Sequence, residues 1–134
     1  MSDPSCVFCE IVSKRARAAA VFETQHAMCF LPLEMEVDGH VIVAPKAHHV
    51  TIFEISDEAF FSVMGAVKEA ALRLRASLGA TGVNVLHASG RSAQQSVDHF
   101  HMHVLPRFEG DGFDAWPSLP GARADRAQLL ARLR

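Results

Sequence analysis

Residues 98–106 read Asp98-His99-Phe100-His101-Met102-His103-Val104-Leu105-Pro106, and in this stretch three of the chain's eight histidines alternate with apolar residues. A period of two is the mark of a β-strand, in which alternate side chains share a face and stand about 6.6–6.8 Å apart. The spacing therefore predicts a strand with His99, His101 and His103 along one face and Phe100, Met102 and Val104 turned into the core. Three imidazoles in register ask for chemistry that one satisfied histidine does not. One reading is a transition-metal site, since neutral imidazole suits zinc, copper and iron. The other is a phosphate site, in which one neutral imidazole is a nucleophile and its neighbours supply hydrogen bonds.

The segment just upstream, His87–His99, reads HASGRSAQQSVDH and is small, polar and glycine-containing. Such a loop presents backbone N–H groups and the side chains of Ser92, Gln94, Gln95 and Ser96 to an anion. Gln and Ser are poor metal ligands and good donors to phosphoryl oxygens, which favours phosphate over metal at the row itself.

Four further segments are short and strand-like: AAAVFET, HAMCFLPL, HVIVAP and GVNVLHAS, separated by Gly, Pro, Asp or Ser. One long helix is predicted in SDEAFFSVMGAVKEAALRLRASLGA, with Ser56 as N-cap, Asp57 and Glu58 at the positive end of its dipole and Gly79 as its stop. Phe60, Val63, Met64, Val67, Ala71, Leu74 and Leu78 form its apolar stripe. A short helix is expected in CEIVSKR, and a closing one around Leu129, Leu130 and Leu133. Five strands and one long helix without βα alternation predict an α+β fold with an antiparallel sheet.

The 134 residues are expected to form a single domain, residues 1–134, with 108–134 as a C-terminal tail and short helix. Apolar residues make up 49% of the chain, enough for a core without disulfides. The formal net charge of −2 gives no sign of nucleic-acid or membrane binding. The start, MSDPSCVFCE, lacks the basic and apolar regions of a signal peptide. Three cysteines, an odd number, fit a reducing compartment, so a cytoplasmic protein is expected. Cys6-x-x-Cys9 is half of a zinc site; a redox pair and two small buried residues are the alternatives. Cys29 is expected in the core.

Taken together, QSVDHFHMHVLPR, CVFCEIV, GHVIVAPKAHH and a tail carrying Trp116 resemble the histidine-triad (HIT) family over roughly residues 6–117. The resemblance implies a HIT-like fold, with a five-stranded antiparallel sheet, one long helix and a short N-terminal helix. It also implies a homodimer and a nucleotide hydrolase or nucleotidyl transferase that cleaves at the α-phosphate of a small nucleotide substrate. Carried over by residue, His101 is the nucleophile, and His103 and His40 surround the phosphate. Gln95 and Ser96 donate to it or to the leaving-group bridge, and Gly90 keeps the loop backbone close. Phe8, Ile11, Leu33 and Ile42 match the apolar positions around the base. Some bacterial members hold a structural zinc, with no part in the chemistry, on residues that here are Cys6, Cys9, His48 and His99, with His49 an adjacent rival to His48. Two departures stand out: Pro32 and Ala88 occupy positions where polar residues bind the ribose. They imply altered nucleotide affinity.

Overall fold

A computed structural model describes residues 3–134. It contains the predicted elements: α1 (Val7–Val12), β1 (Ala19–Glu23), β2 (Ala27–Leu31), β3 (Val41–Pro45), α2 (Asp57–Leu78), β4 (Gly82–Leu86), β5 (Met102–Arg107) and α3 (Arg126–Leu133). The strands make one antiparallel sheet in the order β1-β2-β3-β5-β4.

Strands β2 and β3 read as continuous apolar runs because both of their faces are covered. On one face Cys29, Val41, Val43, Met102 and Val104, with Phe100, pack against Val63, Ala66, Val67, Ala70 and Leu74 of α2. On the other, Met28, Phe30, Ile42 and Ala44 pack against Cys6, Phe8 and Cys9 at α1. The alternation is thus resolved into two cores, one under α2 and one under α1.

Helix α2 begins and ends where its sequence signals stand. The Ser56 hydroxyl accepts from the Ala59 N–H, and Gly79 is left-handed at φ 75°. The stripe is turned relative to expectation: Ala66 and Ala70 are buried, whereas Leu78 is 52% exposed. The last turn overhangs the sheet instead of lying on it.

The triad strand also starts later than its alternation suggests. Ladder pairing begins at Met102, while the Phe100 N–H donates to His49 O outside the sheet. His99 and His101 therefore sit on the irregular approach to β5. They still share the α1 side with His103, since the Phe8 ring lies 5.7 Å from His99 and 5.0 Å from His101, and His101 lies 4.9 Å from His103.

At its far end β5 holds the tail. The Arg107 guanidinium grips both carboxylate oxygens of Asp111 at 2.8 Å, donates to Asn84 Oδ1 and Phe113 O, and stacks over the Phe113 ring. The tail beyond starts its course beside β4, an edge strand.

Candidate active site and metal centre

Each ring nitrogen that faces an obligate partner fixes its tautomer. His101 Nδ1–H donates to His99 O at 2.7 Å, so Nε2 of the neutral ring carries a bare lone pair. The Glu36 N–H donates to His40 Nδ1 at 3.1 Å, which puts the His40 proton on Nε2. That Nε2–H donates to His103 Nδ1 at 2.9 Å, leaving His103 with its own proton on Nε2. Side by side, then, stand a ring with a free lone pair and a ring with a free N–H. Burial lowers the pKa of His101 to about 4 and lowers those of His40 and His103, so all three are neutral at pH 7.

A second network backs His101. His87 Nδ1–H donates to His101 O at 2.8 Å, its Nε2 accepts from the Ser89 hydroxyl, and Ser89 Oγ accepts from the Ile52 N–H. The His87 ring packs on Phe100 at 4.4 Å. The sequence places both residues in the polar segment His87–His99 without a role, because the pairing of β4 with β5 that brings them behind His101 is set by the fold.

The loop residues are brought together unevenly. Gly90 (φ 91°) and Gln94 (φ 68°) hold left-handed turns around a short 3-10 turn, Arg91–Ala93, that contains Ser92. The Gln95 side chain is not free to face a phosphate: its Oε1 accepts from the Gly90 N–H, and its amide donates to Val50 O and Val97 O. It staples the loop instead. Ser96 lines a surface hollow with Asp3, Cys6 and His48, outside the histidine row. Phe8, Ile11 and Ile42 do share one apolar cluster, whereas Leu33 is 94% exposed on the β2–β3 connection. That connection carries Leu33 away from the sheet, and the structure does not bring it to the others.

Cys6, Cys9, His48 and His99 converge, with their ligand atoms all within 4.8 Å of one another. Cys6 Sγ and Cys9 Sγ lie 3.3 Å and 3.6 Å from His99 Nδ1, and Cys9 Sγ lies 3.3 Å from His48 Nδ1. These spacings are close to the edges of a tetrahedron built from Zn–S bonds of about 2.3 Å and Zn–N bonds of about 2.0–2.1 Å. His99 Nε2–H donates to Pro45 O at 2.8 Å, which leaves Nδ1 bare toward the thiols. The Asp3 carboxylate stands 3.9 Å from His48 Nε2. Two soft sulfurs and two imidazoles, with no carboxylate among the four, match zinc, so the residues present fit the group. His49, the adjacent rival, lines a different hollow with His26 and Glu58. Burial also lowers the pKa of His99 to about 4 and pushes the Cys29 thiol up to about 12.

A five-stranded antiparallel sheet with a long helix on one face and the histidine row on the other defines a class of small α+β proteins built around such a row. The chain belongs to the HIT family: the profile described as HIT domain matches residues 13–110. Protein hit of Bacillus subtilis is 38% identical over 112 residues, covering 83% of this chain and 77% of that protein. The adenosine 5'-monophosphoramidase hnt1 of Schizosaccharomyces pombe is 36% identical over 118 residues, covering 87% of this chain and 86% of its own. Among solved structures, a zinc-bound histidine triad family protein from Mycobacterium smegmatis superposes with a TM-score of 0.79 at 33% identity, covering 87% of this chain and 84% of that one.

Among the described residues, no helix is long and apolar enough to cross a membrane.

Proposed function

We propose that the chain hydrolyses, or transfers the nucleotidyl group of, a nucleoside phosphoramidate or dinucleoside polyphosphate through a nucleotidyl-histidine on His101. One observation carries the proposal: His101 Nδ1–H is tied to His99 O, which leaves Nε2 a fixed, uncharged nucleophile beside the Nε2–H of His103. In the first step the Nε2 lone pair attacks the α-phosphorus, a P–Nε2 bond forms, and the P–N or P–O bond to the leaving group breaks. The leaving group departs with a proton taken from solvent, and the attacking water returns that proton in the second step. Water then attacks the same phosphorus, frees His101 and yields the nucleoside monophosphate. His103, held by His40, donates its N–H to a phosphoryl oxygen in both steps. The loop of Gly90, Ser92 and Gln94 borders the phosphate, with Gln95 shaping that loop, and Phe8, Ile11 and Ile42 receive the base. The S. pombe relative's activity as an adenosine 5'-monophosphoramidase supports the phosphoramidate class.

The test is release of AMP from adenosine 5'-phosphoramidate and from a diadenosine polyphosphate, followed chromatographically. Wild type is expected to release AMP from at least one of them, and His101→Ala to lose at least about a hundredfold in rate, the scale of a covalent or proton-transfer group. Release by wild type that survives unchanged in His101→Ala would overturn the mechanism. No release by wild type would favour a second reading, a nucleotide-binding regulatory module. Pro32 and Ala88, which offer no side-chain hydrogen bond to a ribose, and the outlying Leu33 favour that alternative over efficient turnover.

The reading includes a structural zinc, one per chain, on Cys6, Cys9, His48 and His99, which would tie α1 to the triad segment and take no part in the chemistry. It further includes a homodimer formed through the β4 edge, where Val83 and Val85 are 37% and 42% exposed. The partner is a small nucleotide, with neither nucleic acid nor membrane involved. Three free, buried cysteines support a cytoplasmic setting.

A further inference from the structure

His87 is half-buried, and no step of the proposed reaction uses it. The sheet shows what such a side chain does there. On the β4 side the ladder's last pair is Leu86 with His103, two residues short of His101. On the β3 side it runs one residue further, to Val43 with Met102. His101 therefore lies beyond the last paired residue of both neighbouring strands. Its ring is aimed no better than the main chain that carries it.

His87 follows directly on the last residue of β4 and takes over where the ladder stops. Its Nδ1–H donates to His101 O at 2.8 Å. A carbonyl only accepts, so the proton stands on that nitrogen and Nε2 is left as an acceptor. The Ser89 hydroxyl supplies the hydrogen to Nε2, and the Ser89 oxygen in turn accepts from the Ile52 N–H at 2.8 Å. Every bond in the series Ile52, Ser89, His87, His101 thus runs in one direction, and one orientation of the imidazole satisfies both of its nitrogens. The face of the ring lies on Phe100, 4.4 Å between centroids and 36° between planes, and Phe100 is fully buried. Edge and face together fix the ring, which ties the end of β4 and the turn at Ile52 to the main chain of His101.

We propose that His87 is a positioning residue for the reaction: through His101 O it holds the main chain at the nucleophile so that Nε2 meets the phosphorus in line, while Ser89 keeps the His87 ring turned. The inference rests on the reaction proposed above, and His87 acts through His101 and not on the substrate. A displacement of about 1 Å in a reacting group costs up to about a hundredfold in rate. The loss falls on kcat and spares KM, because the bond lies behind the nucleophile.

The experiment measures kcat and KM for AMP release from adenosine 5'-phosphoramidate by the full-length chain and three variants. His87→Phe keeps the packing on Phe100 and removes both nitrogens. His87→Asn returns a donor near the Nδ1 position. Ser89→Ala frees the ring to turn, and it stands in for His87→Phe if that variant does not fold. Solvent exchange of the His101 Nδ1–H and of the α2 backbone amides is followed by NMR on the same samples. His87→Phe is expected to lose about tenfold or more in kcat with KM within about twofold, His87→Asn to recover most of that loss, and Ser89→Ala to lose about threefold or more. The His101 Nδ1–H should exchange about tenfold faster in His87→Phe, with the α2 amides unchanged. Wild-type kcat in His87→Phe and Ser89→Ala would overturn the proposal. So would a rise in KM at constant kcat, or α2 amides that speed up as much as the His101 ring, which would mark a general loosening. A wild type that releases no AMP would overturn the reaction and this role together; the other adverse outcomes, all seen against an active wild type, would remove His87 alone.

Discussion

At the residue scale, the histidines differ by what holds their protons. His101 donates its Nδ1–H to a carbonyl, while His40 accepts from the Glu36 N–H and donates to His103. A neutral, hydrogen-bonded imidazole pair inside a protein has a pH cost with a definite sign. The folded-state pKa values of His40 and His103 lie below the ordinary value because burial penalises the charged form. Their contribution to stability is whole above an unfolded value of about 6.5 and is lost as pH falls below it toward the depressed folded values, since the unfolded chain binds the protons first. Urea midpoints measured from pH 7.5 down to 5 should therefore decline, and His40→Asn, which removes one of the two groups, should flatten the decline. An unchanged slope would contradict the assignment. Sequence alone reached the row, because alternation is local. It did not decide between His48 and His49, which are adjacent in the chain and differ only in which side of the sheet they reach. Nor could it see that Gln95 spends its amide on the carbonyls of Val50 and Val97.

The elements were legible wherever a periodic pattern met a chemical stop. Ser56 and Gly79 bound α2 as expected, and the two apolar runs are β2 and β3. Two features were not legible, both of them set by packing. The approach to β5 leaves the ladder through the Phe100 to His49 bond, and Leu78 in the last turn of α2 stays half exposed. Gly39 tests how tightly this end of α2 is docked. It has φ +86°, and a Cβ there would lie 2.8 Å from Leu78 Cδ1 and 3.0 Å from Pro106 Cγ. The leucine tip can swing away; the proline ring cannot. Gly39→Ala should lower stability by about 1–3 kcal/mol by chemical denaturation, from left-handed strain and overpacking together. A neutral result would show that this end is looser than its contacts indicate.

Over the whole molecule, the Cys6, Cys9, His48 and His99 cluster joins the N-terminal helix to the segment that bears His101, across 93 residues of sequence from Cys6 to His99. A metal bound only by the folded chain stabilises it by mass action, about 2.7 kcal/mol at a hundredfold excess over Kd. Thermal melts with added zinc should rise, and a chelator or Cys9→Ser should abolish the rise. Equal melting temperatures with and without zinc would remove the metal from the proposal.

His99 belongs to both centres at once. Its ring faces the two thiols, and its main-chain carbonyl accepts the hydrogen bond from His101 Nδ1–H. The two share one residue, so a displacement of the His99 backbone that parted the ring from the thiols would move the carbonyl as well. On the proposed reading, turnover in a growing cell would therefore follow nutrient zinc supply: scarcity would leave intact molecules whose nucleophile is no longer aimed, and replenishment would restore them without new synthesis.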